Sequence, residues 1–219
     1  MTKSNLLVDA SYALSAQAQK LVLACLSKID SRKKATKEMT LTASEFSNLM
    51  GIDLSNAHRE LYKAADSLFK STIKIKTELE EIEIYWIQKK AKKLRGQGKI
   101  TLVWSDDVIK YISSLKNHFT TYKLRQIANL QSSHSIRIYE LLMRYNNTTK
   151  ERLICVDDFR SALGVEEKYL EFKALNRNVI KPAINELNKK SDIYVTYETI
   201  KKGRSVAAIF FEFGKNKQK

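Results

Sequence analysis

The chain has 219 residues, 43 % of them apolar and 29 % charged, which suits a globular fold with room for one large domain or two of about a hundred residues each rather than a disordered chain. Lys and Arg number 39 against 24 Asp and Glu, and the net charge of +15 with a pI of about 9.7 points to a polyanionic partner, nucleic acid first and an anionic membrane surface second. No apolar run approaches the roughly 18–20 residues of a membrane span, and residues 1–10 lack the apolar core of a secretory signal.

In chain order, Leu21, Val22, Cys25, Leu26 and Ile29 recur at helical spacing and predict a helix over 15–29, followed by a basic loop over 31–37. Met39-Thr40-Leu41 reads as a short strand. The next helix opens at Thr42 or Ser44, buries Ala43, Phe46, Leu49 and Met50, and stops at Gly51. Ser55 or Asn56 is expected to cap a further helix carrying Leu61, Ala64, Ala65 and Leu68. Residues 72–76 and 82–86 alternate as strands do, 88–99 reads as a basic loop, and 100–104 is a third strand. Helix, short strand, two helices and a β-ribbon with a basic tip is the order of a winged helix. A helical stretch over 106–130 is assigned to the same unit.

The order then returns: a helix over 133–145, a strand at Leu153-Ile154-Cys155-Val156, a helix over 157–163 ended by Gly164, a long helical stretch over 169–189, and a hairpin around Lys201-Lys202-Gly203-Arg204. Leu41, Phe46, Leu49, Gly51 and Ile52 map onto Ile154, Phe159, Ala162, Gly164 and Val165 at a constant offset of 113 residues, and the intervening residues align without a gap. The fold class expected is therefore α+β, two tandem winged-helix domains over 1–130 and 131–219. Six glycines and one proline argue against a many-stranded sandwich. Pro182, the one proline, is expected to kink the long helical stretch. Cys25 and Cys155 sit among apolar neighbours and read as buried structural thiols of a reducing cytoplasm.

Catalytic patterns do not assemble. His58, His118 and His134 form no HxH, HxxxH or HExxH spacing, and the glycines never give a phosphate-binding GxxxxGK[ST]. The metal-binding His pair of a rolling-circle nuclease is missing, and nothing beside any of the ten tyrosines would activate it. No catalytic residue, metal or cofactor is expected. The basic residues, by contrast, are clustered. Residues 88–99 hold six positive charges and no acid, with Lys89, Lys90, Lys92, Lys93 and Arg95 placed to lie along phosphates as a wing. Lys201, Lys202 and Arg204 flank the turn of the second hairpin in the same way. Lys173, Asn176, Arg177 and Lys181 fall at spacings that group most of them on an outward helix face, and Arg and Asn have the donors and acceptors to read guanine and adenine edges. In the first domain the matching helix offers Asn56, Arg59 and Lys63, tempered by Glu60 and Asp66, and better suited to phosphates.

Residues 4–15 (Ser4-Asn5-Leu6-Leu7-Val8-Asp9-Ala10-Ser11-Tyr12-Ala13-Leu14-Ser15), Arg137-Ile138-Tyr139-Glu140-Leu141-Leu142, the run Asn178-Val179-Ile180-Lys181-Pro182-Ala183-Ile184-Asn185-Glu186-Leu187-Asn188 and the closing basic turn with its Phe-rich strand resemble the iteron-type plasmid replication initiators. The resemblance runs from about Ser4 to Phe213, with the motifs in the family's order. Two features depart from it: the second domain lacks a long basic extension, and the first wing is unusually rich in Lys. The resemblance implies a bacterial, plasmid-associated protein of the cytoplasm that binds double-stranded DNA. Monomers would bind iterons, open AT-rich DNA and recruit host replication proteins such as the initiator and helicase. Homodimers, in equilibrium with monomers and formed through the first domain, would bind an operator inverted repeat and repress the protein's own gene. It also implies base reading by the helix carrying Asn176, Arg177 and Lys181, and packing roles for Tyr139 and Leu142. A winged-helix transcriptional regulator without a replication role has the same charge, repeat and wings. A nicking replication enzyme would need the absent His pair.

Overall fold

The computed structural model describes residues 1–92 and 98–217. The chain opens with β1 (Thr2–Ser4) and α1 (Asn5–Asp9), continues through α2 (Ala16–Ser27), β2 (Glu38–Thr42), α3 (Ala43–Met50) and α4 (Leu54–Phe69), and then forms a hairpin of β3 (Thr72–Lys76) and β4 (Glu81–Tyr85). Next come β5 (Ile87–Lys92), β6 (Lys99–Trp104), α5 (Asp106–Ile112) and β7 (Phe119–Thr121). The second half runs α6 (Ser133–Met143), β8 (Glu151–Cys155), α7 (Val156–Ala162), α8 (Phe172–Leu175), a π turn over Asn176–Ile180, α9 (Lys181–Lys190), β9 (Ile193–Lys202) and β10 (Ser205–Lys215). Two antiparallel sheets, in the orders β2-β6-β5 and β8-β10-β9, give both halves one topology. In each, the short strand before the helix pair lies beside the last strand, as a winged helix requires. Among the described residues no helix is long and apolar enough to cross a membrane.

Local chemistry explains the repeated helices. Thr42 and Glu45 form a reciprocal cap on α3: the Thr42 hydroxyl accepts from the Glu45 amide at 3.1 Å and the Glu45 carboxylate accepts from the Thr42 amide at 2.8 Å. Gly51 and Gly164 end their helices at φ +60° and +62°, the left-handed conformation that glycine adopts at least cost. The cap on α4 is Asp53 instead of Ser55 or Asn56, because its carboxylate takes the Ser55 amide at 2.8 Å and so starts the helix at Leu54.

Other expectations change as well. Residues 88–92 are not loop but most of β5, paired to β6, so the first wing is the β5–β6 hairpin while β3–β4 is a separate ribbon. The stretch 106–130 is helical only in α5 and a short 3-10 turn, Leu124–Gln126, since β7 returns to pair with β1. Pro182 sits in the first turn of α9, preceded by the π turn, in which the Lys181 amide reaches back to the Asn176 carbonyl. The wider turn accommodates the missing amide and the helix continues without a break. Cys25 is buried, and burial pushes its thiol up to about 12, but Cys155 is exposed because the alternation of β8 turns Ile154 inward and Cys155 outward.

The two halves share one continuous apolar core. At their seam, Arg137 of α6, 1 % exposed, donates to the carbonyls of Val8 (2.9 Å), Ala10 (3.0 Å) and Ala162 (2.9 Å) and to Glu140 at 2.8 Å. Glu140 also accepts from Lys3 at 2.6 Å and from the hydroxyls of Tyr12 and Tyr122.

Candidate nucleic-acid interface

In the second half, α7 and the α8–α9 helix form the helix pair and β9–β10 the wing. Val179, Ile180, Ala183, Ile184 and Leu187 are buried against the core. Lys173, Arg177 and Lys181 therefore face solvent, and none of the three has an ion-pair partner among the described residues. Asn176 is half-buried and accepts a 2.6 Å hydrogen bond from the Tyr197 hydroxyl of β9, so one lone pair of its amide oxygen is already engaged. The wing turns at Gly203, whose φ of +65° supplies the first of two loop positions, and Lys201, Lys202 and Arg204 are exposed around it. Between helix and wing lies an open groove of about 890 Å³ lined in part by Lys173, Asn176, Arg160 and Arg204. Three unpaired cations on one helix face beside a basic wing can hold a phosphate backbone on both sides of a groove-seated helix.

The first half gathers its basic residues differently. Asn56, Arg59 and Lys63 are exposed on α4, but the Arg59 guanidinium donates to the Asn56 side chain at 2.8 Å and lies 3.4 Å from Glu60. On the wing strand, Lys89 is exposed and has no ion-pair partner among the described residues. Lys90 bonds Asp66 and stands 5.4 Å from the centre of the Phe69 ring, and Lys92 stands 4.4 Å over Tyr62. These two lysines lie back across α4, with their charge shared with that helix. Lys93 and Arg95 fall outside the described residues. Two side chains that sequence patterning passed over, Arg160 and Tyr197, prove to contact the α8–α9 helix or its lead-in. Arg160 aligns with Ser47 in the repeat, which is the one signal that marked its position.

Among the described residues no three His, Cys, Asp or Glu side chains gather as metal ligands. Comparison with known proteins bears on the geometry as a whole. A family model described as "Initiator Replication protein, WH1" matches residues 1–143, and one described as "Initiator Rep protein, WH2" matches residues 156–213. A "Replication initiation protein" of Escherichia coli is 29 % identical over 225 residues, covering 99 % of this chain and 70 % of the relative. The "PI protein" of Escherichia coli is 27 % identical, covering 90 % of this chain and 76 % of the relative. Among solved structures, the Pi initiator protein in complex with iteron DNA superposes with a TM-score of 0.84 at 25 % identity, over 99 % of this chain and 97 % of that one.

Proposed function

The chain belongs to the Initiator Replication protein family, and on that premise we propose that it starts plasmid replication by binding iteron repeats at the origin through both of its winged helices. The observation that carries this reading is the superposition, over almost the full length of both chains, on an initiator bound to iteron DNA. We place the boundary of the two domains at 130/131. The second domain reads sequence, with Arg177, Lys173 and Lys181 presented to the major groove and Asn176 beside them. Lys201, Lys202 and Arg204 hold phosphates on one side, and Asn56, Arg59, Lys63, Lys89, Lys90 and Lys92 of the first domain, with Lys93 and Arg95, extend the contact along the DNA.

Monomers open neighbouring AT-rich DNA and recruit host replication proteins, and homodimers repress the protein's own gene at an inverted repeat. The first domain carries the dimer contact. In support, β4 pairs only with β3 among the described residues, leaving one edge free, and Tyr85 at its end is 59 % exposed. Footprinting on the DNA adjoining the gene tests the whole reading. Protected direct repeats, spaced by about two helical turns, are expected. Protection of an inverted repeat alone would make the protein a transcriptional regulator, and cutting of a labelled origin strand with Mg²⁺ or Mn²⁺ would make it a nicking enzyme.

A further inference from the structure

Three positions separate Gly51 from Leu54 at the start of α4, whereas eight separate Gly164 from Phe172 at the start of α8. The lead-in to the second reading helix is the longer one, and it lacks the device that holds the first. Asp53 caps α4 through its side chain, but Glu171, at the corresponding place before α8, makes no side-chain cap. Tyr169 within this lead-in has φ +53°, a left-handed backbone that a tyrosine keeps only where its surroundings enforce it.

What enforces it is Arg160. Its side chain is 6 % exposed, and its guanidinium donates to three successive carbonyls: Lys168 at 2.9 Å and Tyr169 through Nη1, and Leu170 at 2.6 Å through Nη2. In the first repeat the residue at this register is Ser47, whose hydroxyl donates to a single carbonyl, that of Ile52, across the shorter turn. One structural position thus does the same job in both domains, scaled to the length of lead-in it must hold. We propose that Arg160 is a positioning residue for sequence reading: it fixes residues 168–170, and through them the angle and depth at which the α8–α9 face meets the bases. This rests on the reading of that face as the base reader.

A guanidinium fork spans three carbonyls, and a single ammonium at the end of a flexible stem does not. Arg160→Lys therefore keeps the charge and loses the grip. The full-length chain would be titrated, at one fixed salt concentration, with a duplex carrying one direct repeat from the DNA adjoining its gene and with a scrambled duplex of equal length. Arg160→Lys is expected to lose about tenfold on the repeat, the worth of roughly one well-placed base contact, and less than twofold on the scramble. Adding Glu171→Asp, a better cap of unchanged charge, should recover most of that loss, because it holds the helix start independently. A general loss of fold would not be rescued there. In the unaltered chain, amide hydrogen exchange needs no variant to fold: the amides of Ala174, Leu175 and Asn176, which bond to the carbonyls of Glu171 and Phe172 at the helix start, should be protected about as well as those of β9 and β10. Fast exchange at 174–176, equal losses on both duplexes, or no loss on either would each overturn the proposal. Arg177→Ala is the control for the reading beneath it. If Arg177→Ala loses discrimination and Arg160→Lys does not, only the role of Arg160 falls; if neither does, the α8–α9 face is not the reader.

Discussion

A methyl group on Gly164 would meet the backbone of Tyr12 and Ala13 at 2.7–2.9 Å, whereas on Gly51 its nearest neighbour would be the Asn129 side chain at 3.9 Å. Both glycines are left-handed, so replacement by Ala strains the backbone at either site by about 1 kcal/mol. Only at Gly164 must the first domain also move away. Gly51→Ala should lower the melting temperature by roughly 2–4 °C, and Gly164→Ala by at least twice as much. Equal shifts in a thermal scan would mean that the seam has slack the structure does not show. Arg177 is the opposite kind of residue, exposed and without an ion-pair partner among the described residues, above a buried face of Val179, Ile180 and Ala183. Its truncation leaves the core intact. If the guanidinium forks onto a guanine, Arg177→Ala costs about 1–3 kcal/mol on the repeat and far less on a scrambled duplex, with the melting temperature unmoved. An equal loss on both duplexes would make it a phosphate contact.

The two wings are built from similar residues and differ in how much charge they have to spare. Lys201, Lys202 and Arg204 have no ion-pair partner among the described residues, while Lys90 and Lys92 are drawn over α4 by Asp66, Phe69 and Tyr62. Each phosphate contact adds roughly 0.9 to the slope of log K against log salt, so replacing the three second-wing cations by Ala should flatten it by roughly 2–3. Replacing Lys89, Lys90 and Lys92 should flatten it by roughly 1, most of it from Lys89. The reverse order, measured over a salt series, would show that DNA draws the first-wing lysines off α4. This distinction was not legible in the sequence, where 88–99 is simply basic. A strand whose residues after Ile87 are Gln88, Lys89, Lys90, Ala91 and Lys92 offers no apolar alternation, because it is a sheet edge covered by lysine stems rather than a face of the core. The helix pairs were legible because their signals are local: the apolar period, the Thr42–Glu45 cap, and the glycines 113 residues apart. The pairing of β2 with β6, and the return of β7 to β1, depend on contacts distant in sequence and left no such trace. Of the interface, the exposed cations of α8–α9 and its wing could be read from spacing, but the inward-facing Arg160 and Tyr197 could not, since patterning assigns polar side chains to the surface.

At the scale of the whole molecule, a buried charged cluster sits within the shared apolar core and ties the amino terminus to α6. Glu140 is 1 % exposed and faces two cations, Lys3 and Arg137, which themselves compete for its one carboxylate. Burial alone would raise the Glu140 pKa, but the charges of Lys3 and Arg137 and the hydrogen bonds from Lys3 and Tyr122 outweigh it and hold it at about 2, against 4.5 unperturbed. Burial lowers the pKa of Lys3, and Glu140 offsets this only in part because Arg137 opposes it. A depressed carboxylate stabilises the fold above its unfolded pKa, and that contribution drains away as pH falls through the window from 4.5 towards 2. Its size is on the order of 3 kcal/mol, enough to matter for a chain of this length. Glu140→Gln keeps the shape and removes the charge, leaving Lys3 and Arg137 buried without a counter-ion, a change that costs about 3–5 kcal/mol at neutral pH. Wild type and variant should therefore differ most near pH 7 and converge as the pH is lowered, because protonation takes from the wild type what the substitution has already taken from the variant. Melting temperatures of both, compared from pH 7 to pH 2.5, give the answer. A gap that stays constant over that range would mean that Glu140 is not held ionised by its neighbours.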